Sequence, residues 1–199
     1  MKIAVVGCWH QGVVGAACLA DLGHAVAGYD ADAARVAKLN EGKPPLFEPG
    51  LDELLKKSVN SGALCFSTDA AGAVRGASVV MVMHDTPVDE NDRSDLSIIF
   101  SDVKAMAPSL GTETVVYVTA QVPVGTCDEL ASVIRAANPA WRGGMAYSPE
   151  NLRLGQAIER FLRPPLPAVG ADDPAVFVRL KPLLDCCPVP WKQVGLRTA

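Results

Sequence analysis

The chain begins with a short run of buried-strand type, Lys2-Ile3-Ala4-Val5-Val6. It passes without a break through Gly7-Cys8-Trp9-His10-Gln11-Gly12 into a helix-forming stretch of small residues, Val13 to Leu22. This strand, turn and helix constrain the fold more than any other feature. In the G-x-G-x-x-G turn the first glycine makes the bend, the second lets backbone approach a pyrophosphate, and the third brings helix against strand. Gly7 and Gly12 hold the outer positions, and Trp9 stands in the middle one. A second apolar run, Ala25 to Tyr29, ends at Asp30, close to where an acidic side chain would accept hydrogen bonds from an adenosine ribose. A tight structural turn also wants glycines, but the acid closing the next strand favours a nucleotide cofactor.

Further apolar runs bounded by turn residues follow at Leu64 to Phe66, Val79 to Met83, Val115 to Val118 and Met145 to Tyr147. Between them lie amphipathic stretches at Ala33 to Leu39, Leu51 to Val59, Leu96 to Met106 and Cys127 to Ala136. The alternation predicts an α/β fold: a Rossmann-type, doubly wound, mostly parallel sheet with helices on both faces. Right-handed crossovers gather the strands' C-terminal ends on one edge, where such sheets bind ligands. The Gly7 turn, Asp30, His84-Asp85-Thr86-Pro87, Thr119-Ala120-Gln121 and Ser148-Pro149-Glu150 all fall there.

Thr126-Cys127-Asp128-Glu129 has the form of a capping box, so Thr126 is expected to cap a helix, as is Asp95 for the next helix along its own loop. The acidic stretch Asp89 to Asp95 resembles a calcium loop only superficially, because Arg93 takes the fifth position and no glycine follows. After a core of about residues 1–170, a proline-punctuated extension, 171–199, holds an expected helix from Pro174 to Leu184. No closing element is expected beyond Pro188-Val189-Pro190-Trp191.

A net charge of −4 with no Lys/Arg stripe gives a nucleic-acid or anionic-membrane surface no electrostatic basis. The longest apolar stretch, Ala77 to Met83, is far too short to span a bilayer, and the expectation is a cytoplasmic protein. The six cysteines show no C-x-x-C pair and no histidine at zinc spacing, so free thiols and no metal are expected. Cys8, inside the turn, reads as a small packed residue rather than a reactive thiol.

Five blocks carry a family resemblance that periodicity alone could not supply. They are Ala17-Cys18-Leu19-Ala20-Asp21-Leu22-Gly23-His24, Phe47-Glu48-Pro49-Gly50-Leu51, Thr86-Pro87, Val122-Pro123-Val124-Gly125-Thr126 and Ser148-Pro149-Glu150-Asn151-Leu152-Arg153. Over nearly its whole length the chain resembles the amino-terminal, NAD-binding domain of the UDP-glucose/GDP-mannose dehydrogenase family. The resemblance implies two NAD molecules oxidising a sugar-nucleotide primary alcohol to a carboxylate through a cysteine thioester, with UDP-glucose as the default UDP-sugar.

The resemblance also assigns roles. Gly7, Trp9, His10, Gln11, Gly12, Asp85, Thr86 and Gln121 would line the cofactor, with Asp30 and Arg35 on its ribose. Glu150 would act as acid/base, or else merely cap its turn. Gln121 would assist catalysis, and Glu150, Asn151, Leu152 and Arg153 would face substrate. The family's nucleophilic cysteine, most of its sugar-nucleotide pocket and the central helix of its homodimer belong downstream of residue 199, and none of the six cysteines matches the nucleophile's motif.

Departures cluster on the same rim. Trp9-His10-Gln11 stands for Gly-Tyr-Val, His84-Asp85 for a small apolar residue and Gly, Gln121 for Thr, Asn151 for Phe and Leu154 for Glu. They motivate an alternative, a nucleotide-binding protein of the same fold without dehydrogenase activity; a simple hydroxyacid dehydrogenase is a weaker one. Trp9 is expected to swing outward, with its indole N–H or His10 bonded near Asp85 across the crevice.

Overall fold

A computed structural model describes residues 1–87, 90, 94–149 and 151–199. Glu150 and most of the acidic 88–93 stretch, both singled out in the sequence, lie outside the described residues. The elements run β1 (Lys2–Val6), α1 (His10–Asp21), β2 (Ala25–Tyr29), α2 (Ala33–Asn40), α3 (Leu51–Asn60), β3 (Leu64–Ser67), α4 (Ala70–Val74), β4 (Val79–Val82) and α5 (Ser97–Met106). They continue with β5 (Val115–Val118), α6 (Thr126–Ala137), β6 (Met145–Tyr147), α7 (Ala157–Leu162), β7 (Ala168–Ala171), α8 (Pro174–Leu184) and β8 (Lys192–Gly195).

The sheet order is β3-β2-β1-β4-β5-β6-β7-β8. Among the described strands only the β6–β7 pair is antiparallel, and the chain reverses face between β1 and β4, the switch point of a doubly wound sheet. The strands are apolar on both sides because both faces are covered. Ile3 and Val5 pack beneath α1, α3 and α8, whereas Ala4 and Val6 pack with α5 and α6, where Trp141 is buried and donates its indole N–H to Thr114 O at 2.7 Å. At the β3 edge, Asn40 stands in for a missing strand: its amide both donates to Phe66 O and accepts from Phe66 N at 2.9 Å.

Three local expectations need correction. Thr126 does not cap α6; Gly125, with φ of +99°, takes the cap position, and Thr126 is the buried first residue of the helix. A left-handed cap suits glycine and leaves the threonine hydroxyl no role there. The chain beyond Pro190 does contain a closing element, β8, which pairs in parallel with β7. The α1 helix starts at His10, three residues before the expected Val13, so the distal half of the turn is already helical. Asp95 does bind the start of α5, accepting from Ser97 N at 2.9 Å.

Candidate cofactor site and adjoining cleft

The parallel register sets Val6 level with Tyr29 and Val82, Val82 with Val118, and Val118 with Tyr147. The five polar segments that follow these strands therefore share one edge. Gly7 bends the chain at φ +88°, where an added Cβ would strike the His84 ring at 2.6 Å. At Gly12 a Cβ would fall 1.8 Å from Gly7 O, so only glycine lets α1 start this close to β1.

Asp30 is buried and heavily bonded. Its Oδ2 accepts Cys8 N–H at 2.9 Å, its Oδ1 accepts Asp32 N–H at 2.9 Å, and Arg35 Nη1 reaches both oxygens at 2.8 and 2.7 Å. The Arg35 guanidinium lies 4.9 Å from the centre of the Trp9 ring. Trp9 is thus turned outward as expected, at 39% exposure, but toward the β2–α2 corner rather than toward Asp85. Its partner is the Arg35 guanidinium, through a cation–π contact. Cys8 is fully buried; burial, with Asp30 beside it, pushes its thiol well above the usual range, in line with a packing role.

The His10 ring turns to Glu48, its Nε2 3.3 Å from Glu48 Oε2, and Asp85, beyond the end of β4, is exposed. Glu48 is 1% exposed and also accepts Gly155 N–H at 2.9 Å and Ala157 N–H at 2.7 Å. Burial raises the Glu48 pKa, but these backbone donors and His10 outweigh it and hold the carboxyl below its ordinary value. Glu48 therefore ties the dinucleotide turn to the start of α7. The Phe47 to Leu51 block marked this segment in the sequence, but nothing local disclosed the partners.

Gln11 spans the crevice, donating to His84 O at 3.2 Å and accepting from Thr119 Oγ1 at 3.1 Å. Thr86 Oγ1 donates to Gln121 O at 2.8 Å, which brings both expected cofactor residues together; the Gln121 side chain is exposed. Behind the turn lies a cluster the sequence reading missed. His84 Nε2 is 3.0 Å from Asp102 Oδ2, and Tyr29 OH donates to Asp102 Oδ1 at 3.3 Å, with all three residues buried. Burial and Asp102 push the Tyr29 hydroxyl up to about 12.

A cleft opens from this rim, with Gln11, Met83, Thr119, Ser148, Asn151 and Leu152 among its walls. The Asn151 amide donates back to Pro149 O at 3.0 Å, and Arg153 and Leu154 are exposed. The segment expected to face substrate thus adjoins the cofactor edge. Among the described residues no cluster suits a metal ion, and no helix is long and apolar enough to cross a membrane.

The family model for the UDP-glucose/GDP-mannose dehydrogenase family, NAD binding domain, matches residues 1–185. A UDP-glucose 6-dehydrogenase of Rhizobium meliloti (strain 1021) is 40% identical over 173 residues, 86% of this chain and 40% of that protein. The solved UDP-glucose dehydrogenase from Pyrobaculum islandicum matches with a TM-score of 0.93 at 30% identity, over 99% of this chain and 46% of that one. The GDP-mannose dehydrogenase of Pseudomonas aeruginosa, solved as a ternary complex, matches at 0.92 with 28% identity, over 100% of this chain and 47% of that one. The chain spans less than half the length of each of these relatives.

Proposed function

The chain belongs to the UDP-glucose/GDP-mannose dehydrogenase family as its NAD binding domain, and from that premise we propose that it serves a nucleotide-sugar 6-dehydrogenase, with UDP-glucose as the first substrate to test. One observation carries the reading: Gln11 of the glycine turn, Thr119, and Ser148, Pro149, Asn151 and Leu152 of the downstream motif line one cleft.

The residues present fit NAD. The α1 N-terminus and the close Gly7–Gly12 approach suit a pyrophosphate, and Asp30 sits where ribose hydroxyls would be held. Bound NAD supplies a hydride acceptor. The chain's own residues orient and protect that exchange. Gln11, fixed from both sides, sets the width of the crevice; Thr86 and Gln121 close its β4–β5 side; Asn151 and Leu152 line the approach of the sugar nucleotide, and Arg153 is exposed next to them in the chain. Glu150, in the motif between them, is assigned the proton transfers, a role that a carboxylate performs best when its surroundings raise its pKa. Oxidation of the alcohol to a carboxylate would consume two NAD molecules, and the full-length enzyme is proposed to be a homodimer.

Calorimetric titration of NAD and of UDP-glucose tests the reading. NAD should bind the 199-residue chain, and the chain alone should form no NADH from UDP-glucose, because none of its cysteines lies in the family's nucleophile motif. In the intact enzyme, Glu150→Gln should remove most of kcat and leave NAD affinity near wild type. Failure of NAD to bind would reject the reading and favour a nucleotide-binding protein of another specificity.

A further inference from the structure

Four residues far apart in the sequence close a ring of contacts behind the dinucleotide turn. Gly7 N–H donates to Tyr29 O at 3.0 Å, and the Tyr29 hydroxyl donates to Asp102 Oδ1 at 3.3 Å. Asp102 Oδ2 lies 3.0 Å from His84 Nε2. The His84 ring then returns to Gly7 and fills the space a side chain there would need, since an added Cβ would lie 2.6 Å from Nδ1, 2.7 Å from Cγ and 2.8 Å from Cε1. We propose that Asp102, buried on α5, is a positioning residue for the dinucleotide turn, acting by holding the His84 ring against the first glycine. This rests on the NAD reading and adds to it a residue that sets cofactor affinity without touching the cofactor.

Gly7 adopts a φ of +88°, which a glycine visits freely but does not hold by itself. Its surroundings must fix it. The end of β4 does so in part: Met83 N–H donates to Val6 O at 2.8 Å, and Gln11 donates to His84 O at 3.2 Å, so the backbone at 83 and 84 is tied to β1 and α1. The direction of the His84 ring is set at its other end. Its Nε2 and Asp102 Oδ2 are buried with no hydrogen bond elsewhere among the described residues, so each has only the other as partner. Asp102 is the fixed member of the pair, because Ile99, Val103 and Met106 of the same helix are fully buried and Tyr29 occupies its second oxygen. Without the carboxylate, Nε2 is stranded in the interior, and the ring satisfies it only by swinging away from Gly7. The turn then loses its backing. Backbone N–H groups at such a turn bind phosphate best when already in place, since ordering them on binding subtracts from affinity.

The test compares the wild-type chain with His84→Ala, Asp102→Leu and the double variant. In calorimetric titration with NAD each single change should weaken binding by roughly tenfold, and the double variant should bind like His84→Ala, because Asp102 acts only through the ring. Hydrogen exchange of the ligand-free chains adds a readout that a general loss of stability would not produce. The Gly7 and Cys8 amides, bonded to Tyr29 O and Asp30 Oδ2, should exchange roughly tenfold faster in both single variants, beyond any change across Val115 to Val118 of β5. Exchange that rises equally everywhere, or NAD affinity unchanged in the folded variants, would make Asp102 an ordinary core residue and overturn the proposal. So would an additive loss of roughly a hundredfold in the double variant. Should the variants fail to fold, the wild type still decides: its NMR spectrum should show a slowly exchanging proton on His84 Nε2, and a rapidly exchanging one would mean that Asp102 does not hold the ring. If NAD binds none of the chains while the Gly7 and Cys8 amides still loosen selectively, the positioning of the turn stands and the cofactor reading falls.

Discussion

The guanidinium of Arg35 is held between two residues it reaches at once: its Nη1 bonds both carboxylate oxygens of Asp30, and its plane lies over the Trp9 ring. With Cys8 and Asp32 N–H on the same carboxylate, Asp30 carries four hydrogen bonds before any ligand arrives. A ribose must exchange with some of these bonds. A 2′-phosphate would in addition meet the acid's charge.

NAD is therefore expected to bind at least roughly tenfold more tightly than NADP, since a phosphate beside Asp30 has only the already engaged Arg35 to offset it. Titrating both cofactors checks this, and tighter NADP binding would refute it. Asp30→Ala should narrow the preference and cost about 1–3 kcal/mol of stability, because Arg35 and two backbone N–H groups lose their acceptor.

Trp9→Gly should change NAD affinity by less than about threefold, because the indole stands outside the crevice and its contact with Arg35 is worth about 0.5–1 kcal/mol. Equilibrium binding of the variant decides the matter. A gain beyond about tenfold would show that the side chain blocks the pyrophosphate.

Glu48→Ala should be among the most destabilising single changes on this edge, costing about 3 kcal/mol or more, because it strands His10 and the Gly155 and Ala157 N–H groups. Chemical denaturation measures it. The folded pKa of Glu48 lies below its ordinary value of 4.5, so its contribution is complete above that pH and is lost as the pH falls through the folded value. Wild-type melting temperature should drop through that acid range, with a smaller drop in Glu48→Gln.

Thiol labelling of the native chain should mark Cys65 first, since it is exposed, and should spare Cys8, Cys18 and Cys127. Burial raises all three of the latter, Cys18 and Cys127 to about 12, so neither access nor thiolate is available. Mass spectrometry after brief alkylation reads the order. Early modification of Cys8 would mean that the turn opens readily.

The strands most legible in the sequence were those buried on both faces, because runs such as Val79 to Val82 and Val115 to Val118 admit little else. Lys192 to Gly195 escaped notice for the opposite reason: an edge strand with Lys and Gln exposed has neither an apolar run nor an alternation. Ala168 to Ala171 is short, small and set behind three prolines, and α4 and α7 are too brief for a helical period to declare itself. On the site, Gly7, Gly12 and Asp30 were legible because backbone geometry demands those residue types. Glu48 and Asp102 were not, because their meaning lies in partners such as Ala157 and His84 that are remote in sequence.

The strand order has a kinetic consequence. As the chain leaves the ribosome, β2 pairs beside β1 and β3 beside β2; β4 then takes the free side of β1, and β5 to β8 each extend that side in turn. Every strand meets a finished neighbour when it appears, and none must be threaded between two already joined. A mostly parallel sheet, slow to assemble when its pairings are distant, can thus grow by addition at an open edge while synthesis continues. Within this chain the outermost strand on that side is β8, whose exposed Lys192 and Gln193 discourage pairing with another chain.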